Sequence, residues 1–266
     1  MKLPKVNDKY LSGVLRVAVE AALKARKVHM IYYKKLTNIQ NKLDQSLVSE
    51  ADQKSEKVIR HLIRKKFPDI DILGEEEGLE KRDGSRSRWL IDPLDGTTNY
   101  VHGYPFFCSS IALEVDGIIQ VGVVDSALFE KTYIAVRGYG AFVNNKKISV
   151  SKSKTIPESL VATGFSTYGG AKLDLEMTVF QKLIERSRGV RRSGSAALEL
   201  CMLAEGALDG FWEYGLKPWD TGAGSLMVEE AGGKVTNEKG QKFHPDQDVV
   251  VASNGIIHKE LINLIK

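Results

Sequence analysis

Residues 89–100 read WLIDPLDGTTNY, an apolar run that stops at two aspartates placed around a proline. Trp89, Leu90 and Ile91 have the character of a buried strand. Asp92 and Asp95 stand at its end, and Gly96, Thr97 and Thr98 follow. A buried carboxylate is costly unless it is paired or holds a cation. Asp, Pro and Gly are equally the ordinary residues of a surface turn. The stretch is therefore a turn or a site, and the rest of the chain must separate the two.

Other acids share the same context. Asp52 lies in SEADQ (49–53), where a second helix is expected to begin, and alone it reads as the capping-box partner of Ser49. Glu75 and Glu76 follow the short strand IDILG (70–74), and alone they read as a solvated loop. Asp220 follows KPW at the head of TGAGSLMVEEAGG, where a first-turn acid is common. Each bland reading is adequate by itself. Together they place carboxylates where strand ends meet helix starts, the edge at which layered α/β folds form clefts. Converging carboxylates repel one another unless cations intervene. A donor set made only of oxygens suits Mg²⁺ or Mn²⁺. The three-residue step from Asp92 to Asp95, stiffened by Pro93, allows a tight turn to aim both inward. Gly96 permits close backbone approach, and Thr97 and Thr98 bring hydroxyls and N–H groups to an expected helix start, which suits an anion. A metal beside an anion site points to phosphate chemistry.

The 266 residues suffice for one large domain or two closely packed halves, and the composition, 42% hydrophobic and 27% charged, is that of a globular chain. A net charge of +4 with scattered basic residues argues against a protein built on one nucleic-acid-binding face. Cys108 and Cys201 lie in apolar surroundings without zinc-ligand spacing, so they read as buried thiols. The polar start MKLPKVNDKY lacks a signal-peptide core, and no run of about 18 apolar residues occurs, so a cytoplasmic protein without membrane spans is expected.

Leu11, Val14, Ala18, Ala21, Ala25 and Val28 recur at helical steps and predict a helix over about 8–33 with a small-residue face. Residues 34–46 read as a polar loop. A second helix runs from about Ser49 to Pro68. From 105 to 151, turn signals at VDG, RGYG and VNNKK divide strand-like segments into an antiparallel sheet. Beyond Pro157, strands near 159–163, 189–192, 209–213, 233–236 and 248–252 alternate with helices near 172–187, 195–206, 219–231 and 255–265. The pattern predicts a mixed α+β and α/β chain in stacked layers. Its N-terminal half (1–150) carries the antiparallel sheet and acidic motifs, its C-terminal half (151–266) is α/β, and no flexible hinge separates them.

GEE (74–76), DPLDGTTNYVHG (92–103), RRSGSAALELCMLAEGALDGFWE (191–213) and KPWDTGAGSLMVEEAGG (217–233) resemble the inositol monophosphatase family, in its bacterial and archaeal-type branch. The resemblance implies a five-layered αβαβα sandwich, two to three Mg²⁺ ions (Mn²⁺ able to substitute), lithium sensitivity and a homodimer. It implies that Glu75, Asp92 and the Leu94 carbonyl hold a first metal, and that Asp92, Asp95 and Asp220 hold a second. Glu75 would also face a third. Asp52 and Thr97 would orient and deprotonate the attacking water. The amides of Gly96 and Thr97 would bind the phosphate. Glu213 and the backbone of Gly194, Ser195 and Ala196 would face the alcohol, with Ser166 as a further contact. The family often carries an acid where Ser46 stands, and Lys42 aligns only loosely with its loop lysine, so the third metal and the 34–46 loop are left open. His61 and His102 are expected to serve packing or solvent, and Trp89 and Trp219 to anchor the core. Arg191 and Arg192 are equally readable as a second phosphate contact or as partners of acids at a subunit contact. The expected substrate is inositol 1-phosphate. Fructose 1,6-bisphosphate is the main alternative, followed by histidinol phosphate and 3′-phosphoadenosine 5′-phosphate. A non-enzymatic role in binding nucleic acid or transcription factors is left open without being indicated, because a binding-only relative would be expected to lose metal ligands.

Overall fold

The computed structural model describes residues 3–41, 47–165 and 171–266. Helix α1 (Lys9–Tyr32) starts at Asp8, whose carboxylate accepts the Leu11 N–H at 3.0 Å. Its buried face carries Val14, Ala18, Ala21 and Ala25, and these small side chains let α2 (Glu50–Lys66) lie close against it. Between the two helices the chain forms β1 (Ile39–Asn41) antiparallel to β2 (Leu47–Ser49). Part of the expected 34–46 loop is therefore a strand. Ile-Gln-Asn has no hydrophobic period of its own, and pairing with Leu47–Ser49 is what makes it extended.

An eight-stranded sheet follows. It contains β3 (Asp71–Gly74), β4 (Gly78–Glu80), β5 (Ser87–Asp95), β6 (Cys108–Val115), β7 (Ile118–Ser126), β8 (Lys131–Val136), β9 (Gly140–Val143) and β10 (Lys146–Lys147). Their order is β10-β9-β8-β7-β6-β5-β3-β4, antiparallel except for the pair β3 and β5. Two of its hairpins turn through positive φ, at Asp116-Gly117 (50° and 74°) and Asn144-Asn145 (45° and 70°), which Asn, Asp and Gly tolerate best. The short helix α3 (Thr97–Val101) separates β5 from β6.

The second sheet is built from β11 (Leu160–Thr163), β12 (Gly189–Arg191), β13 (Gly210–Tyr214), β14 (Lys234–Thr236) and β15 (Val249–Ser253), in the order β12-β11-β13-β15-β14. Helices α4 (Ala171–Arg186), α5 (Ala196–Ala204), α6 (Pro218–Glu230) and α7 (His258–Ile265) connect or follow these strands.

Strand alternation sets the layers. Trp89 and Ile91 of β5 pack with Val14, Ala18 and Ile59 of the α1–α2 pair, whereas Leu90 points the other way, toward Leu200, Leu226 and Met227 of α5 and α6. In the second sheet Phe211 joins that same central cluster, while Trp212 packs with Val179, Leu183 and Leu261 of α4 and α7. The result is helix, sheet, helix, sheet, helix: the expected five-layered αβαβα sandwich. Helix α6 lies between the two sheets, and every residue from Thr221 to Val228 is buried. A helix covered on both sides is apolar all round and shows no amphipathic stripe. Close approach to the first sheet needs Gly122, where a Cβ would lie 2.9 Å from the Ala223 Cα.

Candidate active site

Three chain segments bring acids to one edge of the first sheet. The first is the start of α2. Ser49 caps the helix and Asp52 is the third residue of its first turn, forming a full capping box. Asp52 Oδ2 accepts from Ser49 N–H at 2.8 Å and Ser49 Oγ at 2.6 Å. Its other oxygen, Oδ1, lies 2.8 Å from Thr97 Oγ1. The cap and the site are therefore the same carboxylate. Burial pushes Asp52 up to about 6. Thr97 Oγ1 is also 3.0 Å from the Leu94 carbonyl, and its single hydrogen serves one acceptor at a time.

The second segment is the end of β5. The sequence suggests a turn after Trp-Leu-Ile, but the strand continues to Asp95. Asp92 pairs with Ser110 and Asp95 with Cys108, so the ladder is broken by a bulge rather than ended by a turn. The cause is local. Pro93 has no N–H to donate, and the Leu94 N–H turns to Asp92 Oδ1 at 2.9 Å. The Pro93 carbonyl lies 2.8 Å from His29 Nε2. That carbonyl can only accept, so Nε2 carries the hydrogen. His29 Nδ1 is buried without a hydrogen-bond partner among the described residues, and burial pushes the imidazole down to about 4. Beside β5, the parallel register sets Gly74 opposite Ile91, and Glu75 N–H donates to Ile91 O at 3.1 Å. Glu75 thus emerges next to Asp92 because β3 and β5 run the same way.

The third segment is the start of α6, where Pro218 is the first helical residue. Asp220 Oδ2 accepts the Lys217 N–H at 2.7 Å, as Asp52 does for Ser49. Asp95 reaches across to the head of α5, accepting from Ser195 Oγ at 2.7 Å and Ala197 N–H at 2.8 Å.

The electrostatics show how tightly these acids are gathered. Burial raises Asp92 well above the usual carboxylate range, and the charges of Glu75, Asp95 and Asp220 raise it further. Burial lifts Asp95 to about 6, with Glu75 adding to the rise. Asp220 goes to about 8 through burial and then repulsion from Asp95 and Glu75. Among the described residues no three acids, histidines or cysteines already stand as a ligand set. Asp92, Asp95 and Asp220 are instead turned to protein donors, each accepting a backbone N–H. Protons on crowded carboxylates are what a hard divalent cation displaces, so the oxygen donors present suit such an ion.

Opposite these acids lies a second group. Glu213, at the end of β13, is raised well above its usual range by burial and then by Glu199 and Asp220. Its side chain covers Gly164, where a Cβ would fall 2.0 Å from Glu213 Oε1. Gly194 has φ 86° and precedes Ser195, the N-cap of α5, and Ala196, its first residue. Gly96, with φ 93°, presses against this turn: a Cβ there would lie 3.2 Å from the Gly194 carbonyl. Gly194, Ser195, Ala196 and Glu213 are thus gathered with the acids. Ser166, Lys42 and Ser46 lie outside the described residues. His61, His102, Arg191 and Arg192 are exposed, and the Arg192 guanidinium stands 5.6 Å over the Phe165 ring. Trp89 is wholly buried, and Trp219 packs partly buried against the central core.

The sequence reading passes over three residues that hold the site. Asn99 Nδ2 donates to Phe106 O at 2.7 Å and Ser193 O at 2.8 Å, tying the two glycine turns together. Glu199 Oε1 accepts the Ser193 N–H at 2.7 Å, and burial raises this acid to about 8. The third is His29. A lone acid in AALELCMLA and a histidine on an alanine-lined helix face were the available signals.

A model of the inositol monophosphatase family matches residues 11–266. The chain is 37% identical to the fructose-1,6-bisphosphatase/inositol-1-monophosphatase of Aquifex aeolicus, over 96% of each chain. It is also 37% identical to the Nus factor SuhB of Pasteurella multocida, over 96% of this chain and 97% of that one. The solved structure of inositol monophosphatase from Anabaena superposes with a TM-score of 0.85 at 39% identity, covering 97% of this chain and 96% of that chain.

Proposed function

This chain belongs to the inositol monophosphatase family of phosphatases, and on that basis we propose that it is a magnesium-dependent hydrolase of small phosphorylated polyols, inositol 1-phosphate first among them. The observation that carries the reading is the convergence of Glu75, Asp92, Asp95 and Asp220 beside the Asp52–Thr97 pair. Glu75, Asp92 and the Leu94 carbonyl would hold one ion, and Asp92, Asp95 and Asp220 another, with Glu75 facing a third. Bound Mg²⁺ supplies a water of lowered pKa and offsets charge on the phosphoryl oxygens.

The chain's own groups account for the rest. Thr97 Oγ1 receives a proton from the attacking water as its own hydrogen passes to Asp52 Oδ1, over 2.8 Å. An acceptor of pKa about 6 is largely ionised at neutral pH and still basic enough to take that proton. The water oxygen forms the new bond to phosphorus while the bond to the alcohol oxygen breaks, and a solvent water protonates the leaving oxygen. The Gly96 and Thr97 amides face the phosphate oxygens. Ser195 Oγ and Ala197 N–H keep Asp95 in place. Glu213 and the backbone of Gly194, Ser195 and Ala196 meet the hydroxyls of the alcohol.

The test is phosphate release from inositol 1-phosphate, fructose 1,6-bisphosphate, histidinol phosphate and 3′-phosphoadenosine 5′-phosphate, with and without Mg²⁺, and with Li⁺ as inhibitor. Release from none of them overturns the reading. The name of the Aquifex relative favours fructose 1,6-bisphosphate as a second substrate. The name of the Pasteurella relative favours a Nus-factor role beside catalysis, which a pull-down with transcription antitermination factors tests. Among the described residues no helix is long and apolar enough to cross a membrane. We assign the protein to the cytoplasm as a homodimer; gel filtration with light scattering tests the second point.

A further inference from the structure

The turn that carries Glu75 is gripped from below by α2. Glu56 Oε2 accepts the Glu76 N–H at 2.7 Å, and Oε1 accepts the Glu77 N–H at 3.1 Å. Glu56 is wholly buried. A buried carboxylate needs a counter-charge, and Arg60, one helical turn on, donates Nε to Glu56 Oε1 at 2.7 Å. The same guanidinium donates Nη2 to the Gly78 carbonyl at 2.7 Å and reaches Glu80 at 3.3 Å. Room for this pair exists because residue 74 is glycine: a Cβ there would stand 2.2 Å from Glu56 Oε1 and 2.8 Å from Arg60 Nη2.

The turn is therefore held on both sides. Glu75 N–H is bonded to β5 at Ile91, one residue before Asp92, and the next two N–H groups are bonded to Glu56. Glu56 also lies four residues after Asp52, so both project from one face of α2. A single helix face thus sets the carboxylate that meets Thr97 and the turn that presents Glu75.

We infer that Glu56, with Arg60 as its counter-charge, is a positioning residue that aligns Glu75 with Asp92 and Asp52 for the divalent cation. The inference rests on the metal-dependent reading above. Partners behind ligands commonly change metal affinity or activity by about 10–100-fold.

Glu56→Gln removes the charge and sets an NH₂ against one of the two backbone donors. The measurements are Mg²⁺ affinity of the purified protein by calorimetry, and the Mg²⁺ dependence of phosphate release. Mg²⁺ affinity should fall about tenfold or more, with half-saturating Mg²⁺ rising in step. The substrate KM at saturating Mg²⁺ should stay within about twofold, since Glu56 lies behind the metal ligands and not the alcohol site. Gly74→Ala pushes the same carboxylate aside while keeping every hydrogen-bonding group, and it should give the same shift; it decides the matter if Glu56→Gln does not fold. Lowered thermal stability with unchanged Mg²⁺ affinity in either folded variant overturns the inference. If wild-type protein neither binds Mg²⁺ nor releases phosphate, the metal-dependent reading fails, and this inference with it. A functional wild type with unaltered variants defeats the inference alone.

Discussion

Asp52→Asn should make the protein more stable and nearly inactive. Asp52 lies buried with a pKa of about 6 against an ordinary 3.8. A carboxyl raised in the folded state binds its proton more readily there than in the unfolded chain. Its ionisation therefore costs stability, a cost absent below about 3.8 and complete above about 6. A rise of that size corresponds to about 3 kcal/mol at neutral pH. The amide variant avoids the cost but gives up part of the cap and its charge near the helix start, worth about 1 kcal/mol. Asn can still accept from Ser49 through oxygen and donate to Thr97 through nitrogen, with Thr97 donating to Leu94. The net gain is about 2 kcal/mol, a rise in Tm on the order of 5 °C for a chain of this size. The assay is thermal unfolding of metal-free wild type and variant between pH 4 and 8. The variant's advantage should be greatest near pH 7.5 and vanish by pH 4. Phosphate release at saturating Mg²⁺ should fall about 10²–10⁴-fold with the loss of the proton acceptor. A variant less stable at pH 7.5, or equally displaced at every pH, refutes the electrostatic reasoning. Retained turnover refutes the assignment of Asp52.

Asp95→Asn should abolish Mg²⁺-dependent turnover while circular dichroism and the cooperative melt remain those of a folded protein; retained activity would remove Asp95 from the metal site. Gly122→Ala should destabilise by about 1–3 kcal/mol, read as a lower urea midpoint, because its Cβ meets the backbone of Ala223 at 2.9 Å and α6 is covered on both sides. His258 bonds Ser253 and Thr236, and burial pushes it down to about 4. A lowered histidine stabilises most above about 6.5 and loses that contribution as pH falls toward 4. His258→Gln should therefore lose stability at pH 7.5 and approach wild type at acid pH, seen as a narrowing gap in Tm.

The helices and most strands were readable because their signals are local. The α1 face repeats at helical steps, the β6–β10 meander is punctuated by Asp-Gly and Asn-Asn turns, and Ser49 with Asp52 announces the start of α2. β1 was not readable, since its three residues are extended only through their partner. At Pro93–Leu94 the sequence suggests a turn where the structure has a bulge, because proline forecasts a missing donor but not whether the ladder resumes beyond it. Helices α5 and α6 show little amphipathic period, as two sheets cover them, and their position in the central layer emerges only when both sheets are in place.

The motif acids and the donors next to them in the chain are a property of the sequence: capping bonds, the Pro93 break and the Gly96 conformation all arise within a few residues. The site itself is a property of the tertiary structure. Parallel pairing of β3 with β5 sets Glu75 beside Asp92, the layered stack brings α6 and Asp220 to the same edge, and Glu56, Asn99 and His29 act on partners 20, 94 and 64 residues away. Hydrogen bonds within a turn can be inferred from spacing; charges that meet only after distant segments pack cannot, and it is their mutual repulsion at one sheet edge that calls for a cation.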